Sequence, residues 1–269
     1  MDIGKEMIHR GHAANSIVPI FLPLGKLNTN EDFFTICSSE SKQIDYLLFF
    51  DSRGSTLDHD KTYTFTSMLA DYLTALNKSV LAICRPLEIT VFFSLFNFLN
   101  SSSIKARNLI TNMGFVDFTP KKSTVIDEMM EQKSILFKNI ECKSVDLESY
   151  RLSSGKSELL KYMDISSCLD IFSDILSKRF INSYLLQTPQ FEFYNSFPRE
   201  RPRSFYTQLL KTNSFIERLS ANSNSITAIH APKVPQDYLG FSYDGVHFTK
   251  EGHHKVFLSV IEALFYEDP

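Results

Sequence analysis

The sequence contains no tryptophan, only nine glycines in 269 residues, and four cysteines that form no C-x-x-C pair. Cysteines scattered in this way indicate neither a zinc ribbon nor a disulfide framework, so we expect free thiols in a reducing compartment. No apolar run approaches the roughly 20 residues that a membrane-spanning helix requires. We therefore expect a cytoplasmic protein that has no membrane partner.

The chain also lacks a large excess of charge of either sign. Its formal net charge of −3 provides no general electrostatic attraction to nucleic acid or to an anionic membrane. The apolar segment of residues 16–25 is interrupted by two prolines, and no small-residue cleavage site follows it, so it does not resemble a secretory signal. These absences favour a small-molecule or protein partner and exclude nucleic acid as the expected one.

Hydrophobic residues make up 43% of the chain, which is enough to fill the core of one large α/β domain. Residues 44–50 predict a buried strand, residues 62–76 an amphipathic helix and residues 79–84 a second buried strand. A helix over 87–99 and a strand over 108–113 continue the alternation. Such alternation predicts a parallel sheet with right-handed crossovers.

The pattern weakens in the second half of the chain. We predict helical structure over 159–186, a helix over 205–220, a strand over 225–231 and a final helix over 249–266. Because no internal repeat or linker appears, we expect a single domain over residues 1–269. It would carry an N-terminal extension over about 1–43 and a helical insertion over about 119–204.

Three loops follow predicted strands, with the sequences DSRGST, RPLE and NMGFVDF. In a parallel α/β sheet, ligands bind beyond the carboxyl ends of the strands, where such loops converge. Ser52 lies directly after the first of these strands, so its hydroxyl is a candidate nucleophile if a base lies nearby. The structural alternative is that Ser52 is a turn or helix-cap residue.

The segment YDGVHFTKEGHH, residues 243–254, offers such a base. Asp244 and His247 are three residues apart with Gly245 between them, so a tight turn can bring the carboxylate to Nδ1 of the imidazole. That contact would leave Nε2 able to accept the serine proton. A lone D-x-x-H occurs often by chance, but its combination with a serine after the first strand favours a catalytic site.

Two segments resemble the blocks of the SGNH, or GDSL-type, hydrolases. LLFFDSRGSTL resembles the first block, with Phe50 where the family has glycine, and YDGVHFTKEGH resembles the last block. The resemblance implies a three-layer α/β/α architecture with a parallel, flavodoxin-like sheet. It also implies Ser52 as nucleophile, His247 as general base and Asp244 as the partner that orients His247, with no metal or organic cofactor.

The middle blocks depart from the family pattern. The second block should present a glycine whose N–H contributes to the oxyanion hole, but the corresponding loop reads CRPLE. The third block should place an asparagine two residues after its glycine, whereas Val116 follows Gly114 at that spacing. We expect Asn112 and the Arg85 guanidinium to supply oxyanion or substrate contacts beside Gly114. An unreplaced pair of donors would leave a weak enzyme, since one lost donor costs about 10²- to 10³-fold in rate.

These observations predict a serine esterase that hydrolyses a small O-acyl ester through an acyl-enzyme on Ser52. An O-acetyl group on a carbohydrate is the first substrate to consider, because such substrates are common in the family that the chain resembles. Two alternatives stay open: an O-acyltransferase on the same scaffold, and a catalytically inactive binding protein that has kept the fold. The sequence does not indicate an oligomeric state.

Two further features have structural interpretations. His253 and His254 are adjacent, so on a helix their side chains point about 100° apart, which favours a capping or solvent-exposed role over a metal site. Thr249 is placed to cap the last helix. The basic segment of residues 199–204 fits a solvated loop better than an anion-binding site.

Overall fold

A computed structural model describes residues 34–37, 41–54, 63–84, 91–112, 117, 120–131, 141–145, 160–164, 169–189, 203–232, 234, 240–243 and 247–265. Nine strands lie in these ranges: β1 (Phe34–Cys37), β2 (Gln43–Phe50), β3 (Val80–Cys84), β4 (Lys105–Thr111), β5 (Lys121–Lys122), β6 (Glu141–Val145), β7 (Leu160–Asp164), β8 (Asn182–Leu186) and β9 (Ile226–Ile229).

Six α-helices lie in the same described ranges: α1 (Phe65–Ala75), α2 (Val91–Ser101), α3 (Ser123–Glu131), α4 (Leu169–Arg179), α5 (Arg203–Asn222) and α6 (Lys250–Phe265). A short 3-10 turn, Ser52–Gly54, follows β2 directly. None of these helices combines the length and apolar character needed to cross a membrane, within the residues that the structure describes.

The central sheet has the strand order β1-β3-β2-β4-β8-β9. Strand β1 pairs with β3 in the antiparallel direction, and the other five strands run parallel to one another. The register pairs Phe50 of β2 with Cys84 of β3, and Phe49 of β2 with Thr111 of β4. The carboxyl ends of these strands therefore meet at one edge, where the candidate loops begin.

Two apolar clusters cover the two faces of this sheet. The side chains of β2 alternate between them, as the pleat of a strand requires: Leu47 and Phe49 belong to one cluster, and Leu48 and Phe50 to the other. Residues from α2, α4 and α5 complete the first cluster, and residues from α1 and α6 complete the second. The predicted three-layer α/β/α architecture with a parallel, flavodoxin-like sheet is confirmed.

The prediction of helical structure over residues 159–186 is confirmed for residues 169–179, which form α4, and is wrong on both sides of that helix. The chain instead forms β7, then α4, then β8, and β8 lies inside the central sheet between β4 and β9. Leu185 and Leu186 at its end are buried, each in a different apolar cluster. A short apolar run of this kind fits helical and strand periodicity equally well, which explains the error.

A second, smaller sheet lies in the region where a helical insertion was expected. It is antiparallel and has the order β5-β7-β6. Likewise, the expected N-terminal extension over about 1–43 contributes β1 to the edge of the central sheet. The prediction of thiols instead of disulfides is confirmed for Cys84, whose buried Sγ–H donates to the Asp51 carbonyl at 3.2 Å, and for Cys142.

Candidate active site

Ser52 and His247 lie together at the carboxyl edge of the central sheet. His247 Nε2 is 3.1 Å from Ser52 Oγ, although the two residues are 195 positions apart in the chain. This distance lies within the range in which a base can accept the proton of a nucleophile. Both side chains are only partly buried, so the pair is accessible to a small molecule.

The turn that carries Ser52 is held by the residue before it. Asp51 accepts the backbone N–H of Arg53 through Oδ1 at 2.8 Å, and its carbonyl accepts the N–H of Gly54 at 2.9 Å. Only glycine fits at position 54, because a Cβ there would lie 2.4 Å from Phe50 Cβ. Ser52 opens the 3-10 turn, and the first N–H groups of a helical turn have no partner within it.

His247 is positioned by a short backbone closure. Its carbonyl accepts the N–H of Tyr243 at 3.0 Å and the hydroxyl of Ser242 at 2.7 Å. Ser242 and Phe248 form an isolated antiparallel bridge beside this closure. These hydrogen bonds fix the backbone of His247 relative to Ser242 and Tyr243.

Thr249 caps helix α6, as the sequence predicts. Its hydroxyl accepts the N–H of Gly252 at 3.1 Å and donates to the carbonyl of Gly240. The Thr249 N–H also bonds the carbonyl of Phe241 at 3.0 Å. Thr249 thus joins the start of α6 to the segment that leads to His247.

A Thr249→Ala variant is expected to lower the free energy of unfolding by about 1 kcal/mol, the typical value of an N-cap hydroxyl. Thr249→Ser, which keeps the hydroxyl, is the matched control and should retain most of the stability. Urea unfolding of the three proteins measures the difference. Equal stability of the alanine and serine variants would contradict the capping role.

An extended polar network lies beneath Ser52 and was not predicted from the sequence. Arg53 and Asp51 form a salt bridge in which Nη2 lies 3.0 Å from Oδ2, and their side chains are only 2% and 1% exposed. Arg53 also donates to the carbonyl of Asn112 at 2.6 Å and to the hydroxyl of Thr188. Two parts of this network have a signal in the sequence: Asp51 and Arg53 flank the serine, and Asn112 follows a predicted strand.

Asn112 lies at the end of β4, and its amide contacts Asp51. Its Nδ2 donates to Asp51 Oδ1 at 2.8 Å, and its Oδ1 accepts the Asp51 N–H at 3.1 Å. One of its two amide N–H groups is therefore bound to a neighbouring carboxylate instead of facing an ester. Its role as an oxyanion donor stays a prediction that concerns the second N–H.

Several predicted site residues lie outside the described residues: Asp244, Arg85 and Gly114. Asp117, the last residue of the altered third block, is described and is buried. Its Oδ1 accepts the N–H of Phe92 in the first turn of α2 at 2.9 Å. The acidic residue of this block therefore stabilises a helix start in this chain.

The two adjacent histidines have separate roles. His253 is buried, and its Nδ1 accepts the N–H of Phe65 at the start of α1 at 3.2 Å, so it holds α6 against α1. His254 is exposed. Among the described residues, no group of three or more histidine, cysteine, aspartate or glutamate side chains could hold a metal ion.

A Geobacillus acetyl-xylooligosaccharide esterase has a similar solved structure, with a TM-score of 0.50 and 10% sequence identity. The alignment covers 83% of this chain and 95% of that one. The central sheet of this chain, with its five parallel strands flanked by helices, matches the fold of such neighbours. The chain has an SGNH-type hydrolase fold.

Two other solved structures with a similar fold have lower TM-scores. A Clostridium thermocellum family 3 carbohydrate esterase has a TM-score of 0.48 and 10% identity, over 82% of this chain and 94% of that one. A lipase/acylhydrolase from Enterococcus faecalis has a TM-score of 0.46 and 15% identity, over 82% and 95%. No family model matches the sequence, and no curated protein matches it.

Proposed function

We propose that this protein is a serine esterase that hydrolyses a small O-acyl ester, with Ser52 as nucleophile and His247 as general base. The observation that carries the proposal is the hydrogen bond of 3.1 Å between His247 Nε2 and Ser52 Oγ. A serine becomes a useful nucleophile only when a base accepts its proton, and this contact supplies that base. It also favours a catalytic protein over an inactive binding protein with the same fold.

The reaction begins when His247 Nε2 accepts the proton of Ser52 Oγ, which forms a bond to the ester carbonyl carbon. The carbonyl oxygen becomes an oxyanion, which the Ser52 N–H at the open start of the 3-10 turn stabilises. Asn112 is proposed to assist with its second amide N–H, and Arg85 and Gly114 from the flanking loops. The C–O bond to the alcohol then breaks as His247 donates its proton to the alcohol oxygen. The acyl group remains on Ser52.

Water completes the cycle. His247 accepts a proton from a water molecule that attacks the acyl carbon, and it returns this proton to Ser52 Oγ as the carboxylic acid leaves. Asp244 is proposed to bond Nδ1–H of His247, which keeps Nε2 as the acceptor and stabilises the imidazolium. No cofactor enters these steps.

An Asp244→Asn variant is therefore expected to fold and to lose most of the turnover.

An acetylated carbohydrate is the proposed substrate class. The similar Geobacillus structure is that of an acetyl-xylooligosaccharide esterase, and the sequence blocks resemble those of a family that contains enzymes of this kind. A small acyl group is proposed because acetate presents the least apolar surface to be accommodated beside Ser52. We propose a cytoplasmic location because Cys84 and Cys142 are reduced cysteines, which persist in a reducing compartment.

The proposal is tested with a fluorophosphonate probe and a series of p-nitrophenyl esters of increasing chain length. We expect one covalent adduct per chain, located by peptide mass spectrometry on Ser52, and fastest hydrolysis for the acetate ester. Acetylated xylooligosaccharides should then release acetate. Absence of both the adduct and turnover in a folded protein would refute the esterase. Transfer of the acyl group to an added sugar in preference to water would identify the acyltransferase alternative.

A further inference from the structure

We infer that Arg53 is a positioning residue for the nucleophile, and that it acts by joining the Ser52 turn to the ends of two neighbouring strands. The inference rests on the proposed role of Ser52. It concerns a residue directly after the serine whose guanidinium lies inside the protein, at 2% exposure. The proposed reaction itself does not use this buried charge.

The Arg53 guanidinium binds the carboxylate of Asp51, the residue on the other side of Ser52. Its Nε lies 3.1 Å from both carboxylate oxygens of Asp51, and its Nη2 lies 3.0 Å from Oδ2. Asp51 and Arg53 are the two chain neighbours of Ser52, so the serine backbone is held between two residues whose side chains are paired. This pairing therefore restricts the backbone torsions of Ser52.

The same guanidinium reaches beyond its own strand. Nη2 donates to the carbonyl of Asn112, at 2.6 Å, just after β4, and Nη1 donates to the hydroxyl of Thr188, just after β8. Asn213 of α5 holds Thr188 in turn, through bonds of 2.9 Å to its N–H and to its carbonyl. A continuous set of hydrogen bonds therefore runs from the Ser52 turn through Thr188 to helix α5.

The chemistry of arginine explains why this residue is suited to the position. A planar guanidinium presents five donors in a fixed fork, whereas a lysine ammonium is a single point with flexible donors. Arg53 directs these donors to three different acceptor groups. A buried ion pair is weak evidence for stability, because the loss of hydration opposes the attraction between the charges. The directions of the Arg53 hydrogen bonds therefore matter more here than the energy of the pair.

Arg53 is not placed to touch a substrate. Its donors face protein acceptors, and the side chain is almost fully buried. Its effect on the reaction must pass through the placement of Ser52 Oγ and of the Ser52 N–H. This placement matters more in a chain whose second block lacks the glycine donor that the family pattern would supply. A shift of about 1 Å in a reacting group can reduce a rate by about 10²-fold.

The test uses Arg53→Lys, which keeps the charge, and Thr188→Val, which removes one acceptor and keeps the volume. Thr74→Val is the control, because the Thr74 hydroxyl bonds only the Ala70 carbonyl of its own helix. For p-nitrophenyl acetate we expect kcat to fall about 100-fold in Arg53→Lys and about tenfold in Thr188→Val. KM should stay within about twofold of the wild-type value, because no substrate contact is removed.

A double variant provides a second readout. If Arg53 acts through Thr188, then adding Thr188→Val to Arg53→Lys should reduce kcat by much less than the tenfold seen alone, since that contact is already lost. The rate of fluorophosphonate labelling should fall in parallel with kcat. Should Arg53→Lys fail to fold, Thr188→Val and its labelling rate decide the question alone.

The outcomes separate two kinds of failure. A folded wild-type protein without labelling or turnover would refute the proposed function, and this inference with it. An active wild-type protein whose folded Thr188→Val variant keeps full kcat and a full labelling rate would overturn the inference and leave the esterase intact. A loss expressed in KM alone would also overturn it, because it would indicate a substrate contact.

Discussion

A Ser52→Ala variant is expected to reduce kcat for ester hydrolysis by about 10⁴- to 10⁶-fold and to abolish fluorophosphonate labelling. The reason is that Ser52 Oγ forms the covalent bond of the proposed reaction, and alanine has no hydroxyl that His247 could activate. Alanine removes only the hydroxyl from a residue that opens a 3-10 turn, so the fold should persist. Assays with p-nitrophenyl acetate measure kcat, and a thermal melt shows whether the variant is folded.

The control for this variant is Ser177→Ala, which removes an exposed hydroxyl on α4 that contacts Ser223 and Ser225. It should keep full activity. His247→Gln should lose nearly as much as Ser52→Ala, and the double variant should lose no more than either single one, because serine and base act as a unit. Retention of more than a few per cent of kcat in Ser52→Ala would refute Ser52 as the nucleophile.

A Gly252→Ala variant is expected to destabilise the protein by about 3 kcal/mol or more, or to prevent folding. In most helices this substitution would increase stability by about 1 kcal/mol, so the expected sign is reversed. The cause is a close approach: a Cβ on Gly252 would lie 2.0 Å from the carbonyl oxygen of Phe241 and 3.2 Å from Phe248 Cβ. The nearest of these atoms is backbone and cannot rotate away.

Gly240→Ala is the matched control, because a Cβ there would meet only Glu251 Oε2, at 3.4 Å, which is an ordinary contact. It should keep its stability in urea unfolding. Any Gly252→Ala protein that does fold should also lose activity, since the displaced segment of residues 241–248 carries His247. A Gly252→Ala protein as stable as the wild type would show that helix α6 can move away from Phe241.

The sequence was most informative where one periodicity was strong. The buried strand that became β2, the helix α1 and the strand β3 lie close to their predicted bounds, because each is a single apolar pattern between turn residues. Strand β8 was missed because a few apolar residues beside a real helix fit the same helical spacing. The small sheet was missed because its strands are short, and β5 has only two residues.

The residues of the site also fall into those that the sequence predicts and those that it does not. Ser52 and His247 could be predicted because each lies in a segment that resembles a family block, and their contact follows from the shared sheet edge. The Arg53, Thr188 and Asn213 network could not be, because its members come from three distant elements and one of them follows the unrecognised β8. The contact of Asp117 with the start of α2 could not be predicted either, because it joins two segments that meet only in the folded chain.

The separation of Ser52 from His247 also sets an order of events during synthesis. The serine leaves the ribosome 195 residues before the histidine, which at the usual rates of translation amounts to about 10 to 40 s. By the end of that interval the nascent chain carries the nucleophile and the strands of the central sheet, but neither the base nor the helix α6 that covers one apolar face. A partly made chain therefore cannot perform the proposed hydrolysis, and completion of the fold and onset of activity should coincide.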